Sequence, residues 1–345
     1  MRILLGMSGG LDSTYAALKL KNEAHDVTGM VLRMHGYTET DAAMEAAQSV
    51  EIPLVTLDLS ERFQKTVVEN FVSEYLKART PNPCILCNSE VKFRALYEYA
   101  TENGFDRIAT GHYAEIVEIN DEFGIRHAIK RGKDSKKDQS YMLWRLSEDI
   151  LSKLIFPLAK EEKKDVRESA KEENLTVADR PESQEICFIP SGNYAEYIEA
   201  LGHKSLPGDF IDQSGNVLGR HNGIIRYTVG QRKGLGIALG ARAFVTEISP
   251  ENNTVRLSLT PSSTDTVTLT DTVYSGIDAP APTTEMRVSV KLRYKAPRVS
   301  ATAVIGEGGT LTLSLDEPAR SVTPGQAAVL YDGDTVIACG FIDKG

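Results

Sequence analysis

The stretch Ser8-Gly9-Gly10-Leu11-Asp12-Ser13-Thr14 has the residue types and spacing of an anion site. It follows an apolar run, Ile3-Leu4-Leu5, that predicts a buried strand. It precedes Tyr15-Ala16-Ala17-Leu18-Lys19-Leu20, which predicts the first turns of a helix. Glycines let the backbone approach a ligand closely, several N–H groups converge, and the helix dipole favours negative charge. The order Ser-Gly-Gly-x-Asp-Ser-Thr lacks the Gly-Lys-[Ser/Thr] ending of the Walker pattern. Asp12 also suits the N-cap of the following helix, a role compatible with ligand binding.

The cysteines are the second source of chemistry. Cys84 and Cys87 lie in Arg79-Thr80-Pro81-Asn82-Pro83-Cys84-Ile85-Leu86-Cys87-Asn88. The two prolines predict extended backbone before a helix starting near Ser89. A thiol at a helix N-terminus has a lowered pKa and is a better nucleophile at neutral pH. Cys187 lies in Ser183-Gln184-Glu185-Ile186-Cys187-Phe188, and Cys339 in the apolar strand Val336-Ile337-Ala338-Cys339, where it reads as a small core residue. Four cysteines in a cytosolic chain do not suggest a disulfide framework. Three readings of Cys84, Cys87 and Cys187 stand open. A structural zinc site wants four ligands, and no closely spaced His or Cys pair completes the set. A Cys-x-x-Cys redox couple is a second, although Pro-Asn-Pro is unlike a thioredoxin flank. The third is sulfur transfer by Cys87 and Cys187 with Cys84 as neighbour; a variant holds an iron–sulfur cluster on all three thiolates with one open iron.

These residues need a frame. Up to about Ala114, predicted strands (27–32, 53–57, 106–110) alternate with predicted helices (41–50, 62–76). That pattern is the signature of an α/β doubly wound parallel sheet, with ligands at the C-terminal ends of the strands. The glycine-rich loop and Gly111-His112 both fall on that edge. From about 140 to 200 the pattern turns helical and charged. Beyond Leu206-Pro207-Gly208, short alternating segments predict β structure, as in Val288, Val290 and Leu292 alternating with Ser289, Lys291 and Arg293. With Ala279-Pro280-Ala281-Pro282 as a linker, the expected units are a catalytic domain over 1–204, a small central β domain over 205–278, and a barrel-like β domain over 279–345.

The chain has 345 residues, 41% hydrophobic and 25% charged, ordinary values for a soluble globular protein. No apolar run is long enough to span a bilayer, and Met1-Arg2 leads straight into a strand, which leaves no room for a signal peptide. The expected compartment is the cytoplasm, with no membrane partner. A net charge of -9 argues against nucleic acid, but the distribution argues for a polyanion. Five Lys or Arg and no acid lie between Asn216 and Arg242, and again between Arg287 and Arg298. A third cluster holds Lys130, Arg131, Lys133, Lys136 and Lys137.

The loop resembles the pyrophosphate loop of ATP pyrophosphatases that adenylate a carbonyl oxygen. Nearly the whole chain resembles the tRNA-specific 2-thiouridylase (MnmA) family. The blocks that carry the resemblance are Gly6–Ser13, Arg79–Cys84, Cys87-Asn88, Lys92-Phe93, Ala109–Tyr113, Lys137–Tyr141, Ser183–Phe188, Tyr227–Gly236 and Thr323–Gln326. The resemblance implies that ATP adenylates the oxygen on carbon 2 of a wobble uridine and that a sulfur then displaces AMP. It implies a persulfide on Cys187, with Cys87 releasing the sulfur and pairing with Cys187 in a disulfide. ATP with Mg2+ would be held by Gly6, Met7, Ser8, Gly9, Gly10, Leu11, Asp12 and Ser13, with Leu32 and Gly111 touching the nucleotide. Asn82, Pro83 and Cys84 would line the target base. His112, Lys137, Asp138, Gln139, Arg293, Tyr294 and Gln326 would contact tRNA, and the two β domains would grip the anticodon arm. A cysteine desulfurase or sulfur-relay protein would supply sulfur. Many relatives carry Asp where this chain has Cys84, and the segment between Met34 and Asp41 lacks their Trp and acidic run.

Overall fold

In the protein's structure, a computed structural model, residues 1–122, 124–180, 186–189, 192–306 and 309–344 are described. β1 (Arg2–Gly6), α1 (Leu11–Asn22), β2 (Asp26–Arg33), α2 (Thr40–Ser49) and β3 (Leu54–Asp58) open the chain. A helical stretch follows: α3 (Ser60–Phe63), a π-helical turn (Gln64–Val68) and α4 (Glu69–Leu76). A second is α5 (Pro83–Leu86), a π-helical turn (Cys87–Lys92) and α6 (Phe93–Glu102), leading to β4 (Arg107–Thr110). Then come the hairpin β5 (Ala114–Asp121) and β6 (Gly124–Arg131), α7 (Glu148–Leu151), β7 (Leu154–Ile155), α8 (Lys163–Glu172) and α9 (Tyr194–Ala200).

β1 is buried on both faces, as the run Ile3-Leu4-Leu5 requires. Side chains alternate across a strand. Ile3 and Leu5 pack with Ala16, Ala17 and Leu20 of α1 and Val166 and Ala170 of α8. Leu4 packs on the other face with Phe71, Val91, Leu96 and Ala100. The sheet is parallel in the order β3-β2-β1-β4-β7, the doubly wound arrangement the alternation predicts. The stretch 140–200, expected to be mostly helical, also contributes the edge strand β7, too short to carry a period.

The central β unit has β8 (Gly208–Ile211), β9 (Val217–His221), β10 (Phe244–Ser249) and β11 (Thr254–Ser258), in the order β10-β11-β8-β9 around Phe210, Val245, Val255 and Leu257. The last unit has β12 (Ser263–Tyr274), β13 (Glu285–Lys291), β14 (Val299–Ile305), β15 (Leu311–Arg320), β16 (Ala327–Asp332) and β17 (Thr335–Lys344). They close as β12-β15-β14-β13-β16-β17 and back to β12, a six-stranded barrel. β12, which the expected division at 278 assigns to the central unit, pairs with β15 and β17 of the barrel. Ala279–Pro282 lies in the connection between β12 and β13; prolines mark a loop without telling which sheet the preceding strand joins.

β16 and the β5–β6 hairpin both help bind the barrel to the parallel-sheet domain. β16 is apolar on both faces: Ala328 and Leu330 face the barrel core, while Ala327, Val329 and Tyr331 join the cluster holding Tyr141 and Trp144. β6 meets β17 through Lys130 and Thr335, so the β5–β6 hairpin extends the barrel's sheet. No described helix is long and apolar enough to cross a membrane.

Candidate active site

Three adjacent strands, β2, β1 and β4, end at the same edge of the sheet. From β1 the chain turns through Met7–Gly10 into α1, with Gly10 as N-cap and no side-chain cap. The first-turn N–H groups therefore lack a side-chain acceptor at the helix's positive end. Gly9 has φ +73°, and a Cβ there would lie 2.6 Å from the Ala42 carbonyl carbon. Gly111, just past β4, lies equally close: its Cβ would fall 2.7 Å from the Asp12 carbonyl carbon and 2.8 Å from Ser13 N. The hydroxyls stiffen the loop. Ser8 N donates to Ser13 Oγ (3.2 Å), while Ser13 Oγ (3.1 Å) and Thr14 Oγ1 (2.9 Å) donate to the Gly10 carbonyl. Met7 and Leu11 are buried beneath the loop, and Leu32 is buried near the end of β2.

Asp12 lies inside the first turn of α1 rather than at the cap. Its Oδ1 accepts from Tyr113 Oη at 2.8 Å and Lys163 Nζ at 2.6 Å. Among the described residues Oδ2 has no donor. The sequence does not mark Lys163, nor Tyr113 as a partner of Asp12. Lys163 stands in Lys160-Glu161-Glu162-Lys163-Lys164-Asp165, a mixed-charge run that reads as a solvated face.

The thiols gather beside this edge. The helix carrying Cys84 and Cys87 starts at Pro83, not near Ser89. Asn82 Oδ1 accepts from Cys84 N at 3.2 Å and Pro83 takes the first helical position, a standard start signal hidden among the prolines. Asn82 Nδ2 also lies 3.2 Å from Met142 Sδ. Cys84 is exposed, whereas Cys87, a turn further on, is buried with its Sγ 3.8 Å from Met34 Sδ past the end of β2. The expected acidification of Cys87 is not what the structure gives: burial pushes this thiol up to about 12, with the Lys92 ammonium pulling the other way. Cys187 is exposed at its tip but set among neighbours that desolvate it; its thiol is also raised by burial and lowered by Lys92. The Lys92 charge bears on Cys87 and Cys187 and on His35 and His112, so one half-buried cation ends the π-helical turn amid groups from four segments.

Phe188 anchors the Cys187 segment, packing edge-on against Phe63 (5.4 Å), Phe71 (5.4 Å) and Tyr197 (5.5 Å). Ser183, Gln184 and Glu185 of the same block lie outside the described residues. At pH 7.5 iodoacetamide is expected to label Cys84 and Cys187 well before Cys87, and Cys339 only on unfolding, because thiolate fraction and exposure set the rate. Peptide mass spectrometry reads this order, and Cys87 labelling first would contradict the burial argument.

Most of the residues expected to meet RNA are engaged in contacts within the protein. His112 bonds Thr110 Oγ1 through Nδ1 at 2.8 Å and packs on Phe93. Burial and Lys92 push its pKa down to about 3, so it is a neutral imidazole. Lys137 is half-buried on the loop after β6. Asp138 is 4% exposed and accepts from Ser140 N, Ser140 Oγ and Arg131 Nε. Gln139 clamps Tyr113 in both directions, Oε1 accepting from Tyr113 N and its own N donating to Tyr113 O, each at 2.9 Å. Arg293 turns inward to the Ser321 carbonyl and Thr323 Oγ1. Tyr294 packs on Tyr141 at 5.9 Å. Gln326 Nε2 donates to Thr80 O at 2.7 Å, and Thr80 N to Pro324 O at 2.8 Å, so the barrel clamps the segment leading to Asn82.

A parallel sheet with an uncapped glycine-rich turn at its carboxyl edge defines a nucleotide-binding α/β domain of the pyrophosphate-loop class. Family models agree along the chain: the tRNA methyl transferase HUP domain matches residues 1–191, the tRNA methyl transferase PRC-barrel domain 195–258, and the aminomethyltransferase β-barrel domain 264–342. Among curated proteins, the chain is 41% identical to a tRNA-specific 2-thiouridylase MnmA of Lachnoclostridium phytofermentans, covering 99% of both chains. It is 40% identical to the proteins of that name from Clostridium perfringens (99% of this chain, 98% of the relative) and Acetivibrio thermocellus (99% of each). The chain belongs to the tRNA-specific 2-thiouridylase MnmA family.

Proposed function

We propose that this protein is an ATP-dependent tRNA-uridine 2-sulfurtransferase that thiolates the wobble uridine. The observation that carries the reading is the meeting of a glycine-rich loop and a set of thiols at the ends of three adjacent strands. A carbonyl oxygen is a poor leaving group. Uridine O2 attacks the α-phosphorus of ATP, the bond to the bridging oxygen breaks, pyrophosphate leaves with the electron pair, and the N3 proton goes to solvent. A persulfide sulfur on Cys187 then bonds to carbon 2 and AMP departs. Cys87 thiolate attacks Cys187 Sγ, breaks its bond to the transferred sulfur, and leaves a Cys87–Cys187 disulfide for an external thiol to reduce.

Gly6–Ser13, Leu32 and Gly111 hold ATP, while Asn82, Pro83 and Cys84 line the flipped base. Mg2+ would suit the loop, because among the described residues Asp12 Oδ2 has no donor and a hard cation would take its other ligands from phosphates and water. An iron–sulfur cluster does not fit as well: among the described residues no three His, Cys, Asp or Glu side chains are grouped to hold a metal ion. Lys137 and the basic β segments meet the tRNA backbone, and Asp138, Gln139, Arg293 and Gln326 brace that surface from beneath. His112 offers RNA a neutral hydrogen bond rather than a charge. Sulfur comes from a cysteine desulfurase or relay protein, and the enzyme works in the cytoplasm.

Nucleoside mass spectrometry tests this on unmodified tRNA incubated anaerobically with the protein, Mg-ATP and a desulfurase. The expected product is 2-thiouridine, dependent on ATP. Product formed equally without ATP would end the reading. A second expectation separates the sulfur routes: colourless protein, iron-free by elemental analysis, remains active. Activity that tracks iron content would replace the persulfide with a cluster.

A further inference from the structure

We propose that Lys163 is a phosphate-binding residue of the adenylation site, held on Asp12 in the free enzyme and turned to the β- and γ-phosphates when ATP binds. The proposal rests on the ATP reading above.

The glycine-rich loop has a charge deficit. Between Gly6 and Thr14 there is no Lys or Arg, yet ATP brings about four negative charges. Backbone N–H groups and a helix dipole supply partial charges only. A full cation must come from elsewhere in the fold, and among the described residues Arg180 and Lys163 approach the loop. Arg180 gives its guanidinium to the Gly9 carbonyl (3.0 Å) and to Glu45 (3.4 Å). Lys163 reaches Asp12 at 2.6 Å with its side chain only 10% exposed.

Lys163 is held there by its backbone. It opens α8, and its N–H donates to Asp134 Oδ2 at 3.0 Å. Asp134 Oδ1 accepts from Lys136 N (3.0 Å) and Lys137 N (3.2 Å). α8 packs on the core shared with α1 through Val166 and Ala170. Burying a long cation costs side-chain entropy and hydration. Fixing its root and leaving only a flexible stem suits a charge that must shift over a short path. Tyr113 Oη still holds Asp12 Oδ1 after the ammonium leaves, so Asp12 keeps its position and would remain available to Mg2+. In the reaction Lys163 countercharges the pyrophosphate as the bridging bond breaks.

Equilibrium binding of ATP and AMP, each with Mg2+ and with EDTA, tests this on the full chain. Lys163→Met is expected to weaken metal-free ATP about tenfold or more, the effect of losing one charge-assisted contact, and to leave AMP, which lacks the outer phosphates, within about twofold. Lys163→Arg recovers most of the loss. Asp12→Asn removes a competing carboxylate and is expected to tighten metal-free ATP, a gain absent when both residues are changed. If Lys163→Met does not fold, seen as loss of AMP binding too, the Asp12→Asn arm decides: no tightening overturns the proposal. Equal metal-free ATP affinity in wild type and Lys163→Met also overturns it while leaving the ATP reading intact. A wild-type protein that binds no ATP under either condition overturns both.

Discussion

Cys187→Ala is expected to abolish 2-thiouridine formation, by roughly 10³-fold or more, while ATP still binds, because a covalent sulfur carrier has no substitute in the chain. Cys87→Ala is expected to do the same in multiple turnover for a different reason. Without its thiolate, the bond between Cys187 Sγ and the transferred sulfur is not resolved by displacement. The two variants then separate in a single turnover: Cys87→Ala accepts labelled sulfur from the desulfurase and keeps it, and Cys187→Ala accepts none. Cys87 is buried with its thiol pushed up to about 12, so it is protonated and inert in the resting enzyme. The Lys92 charge, which already pulls this thiol down, favours the thiolate when the base and persulfide arrive. Cys84→Asp is expected to retain activity because the exposed Cys84 neither carries nor releases sulfur in this scheme. Gel-resolved transfer of ³⁵S and nucleoside mass spectrometry check all three. Full activity in Cys187→Ala would remove the assigned carrier.

What was legible in the sequence was local. The strand, loop and helix around Ser8–Thr14 follow from apolar runs and glycine spacing within about twenty residues, and β1 and α1 fall there. The alternation Val288, Val290, Leu292 likewise predicts a barrel strand with one face inside. Non-local pairing was not legible. The β5–β6 hairpin carries Lys130 and Arg131, which read as a basic patch; in the fold Lys130 pairs with Glu115, and Arg131 with Asp138 and Asp334. Much of that charge is therefore neutralised by partners up to 203 residues away. The start of the Cys84–Cys87 helix is hidden in the sequence because Pro83 serves as a helix opener there, which depends on Asn82 capping Cys84 N. Lys163 lay beyond reach altogether, since nothing in a mixed-charge run marks the one ammonium that meets an aspartate 151 residues earlier.

Gly111→Ala is expected to cut tRNA-dependent pyrophosphate release by roughly 10²-fold while the protein stays folded, the loss that follows when positioned groups are misplaced by about 1 Å. The added methyl would lie 2.7 Å from the Asp12 carbonyl carbon and 2.8 Å from Ser13 N. Neither atom is the end of a flexible side chain, so the backbone must yield, at about 1–3 kcal/mol of overpacking. Two paths are open to it. α1 could back away, but Ala16, Ala17 and Leu20 seat it on the sheet. The segment after β4 could lift instead, but Gln139 holds Tyr113 on both sides and Tyr113 holds Asp12. Either movement displaces the first-turn N–H groups, Asp12 and the Lys163 contact together. Gly36→Ala is the control, with nothing within 4 Å of its added carbon. Loss confined to Gly111→Ala, with its melting temperature only modestly lowered, supports a phosphate site built on that close approach. Near-wild-type turnover in Gly111→Ala would mean that the loop adjusts freely and that the reacting phosphates lie elsewhere.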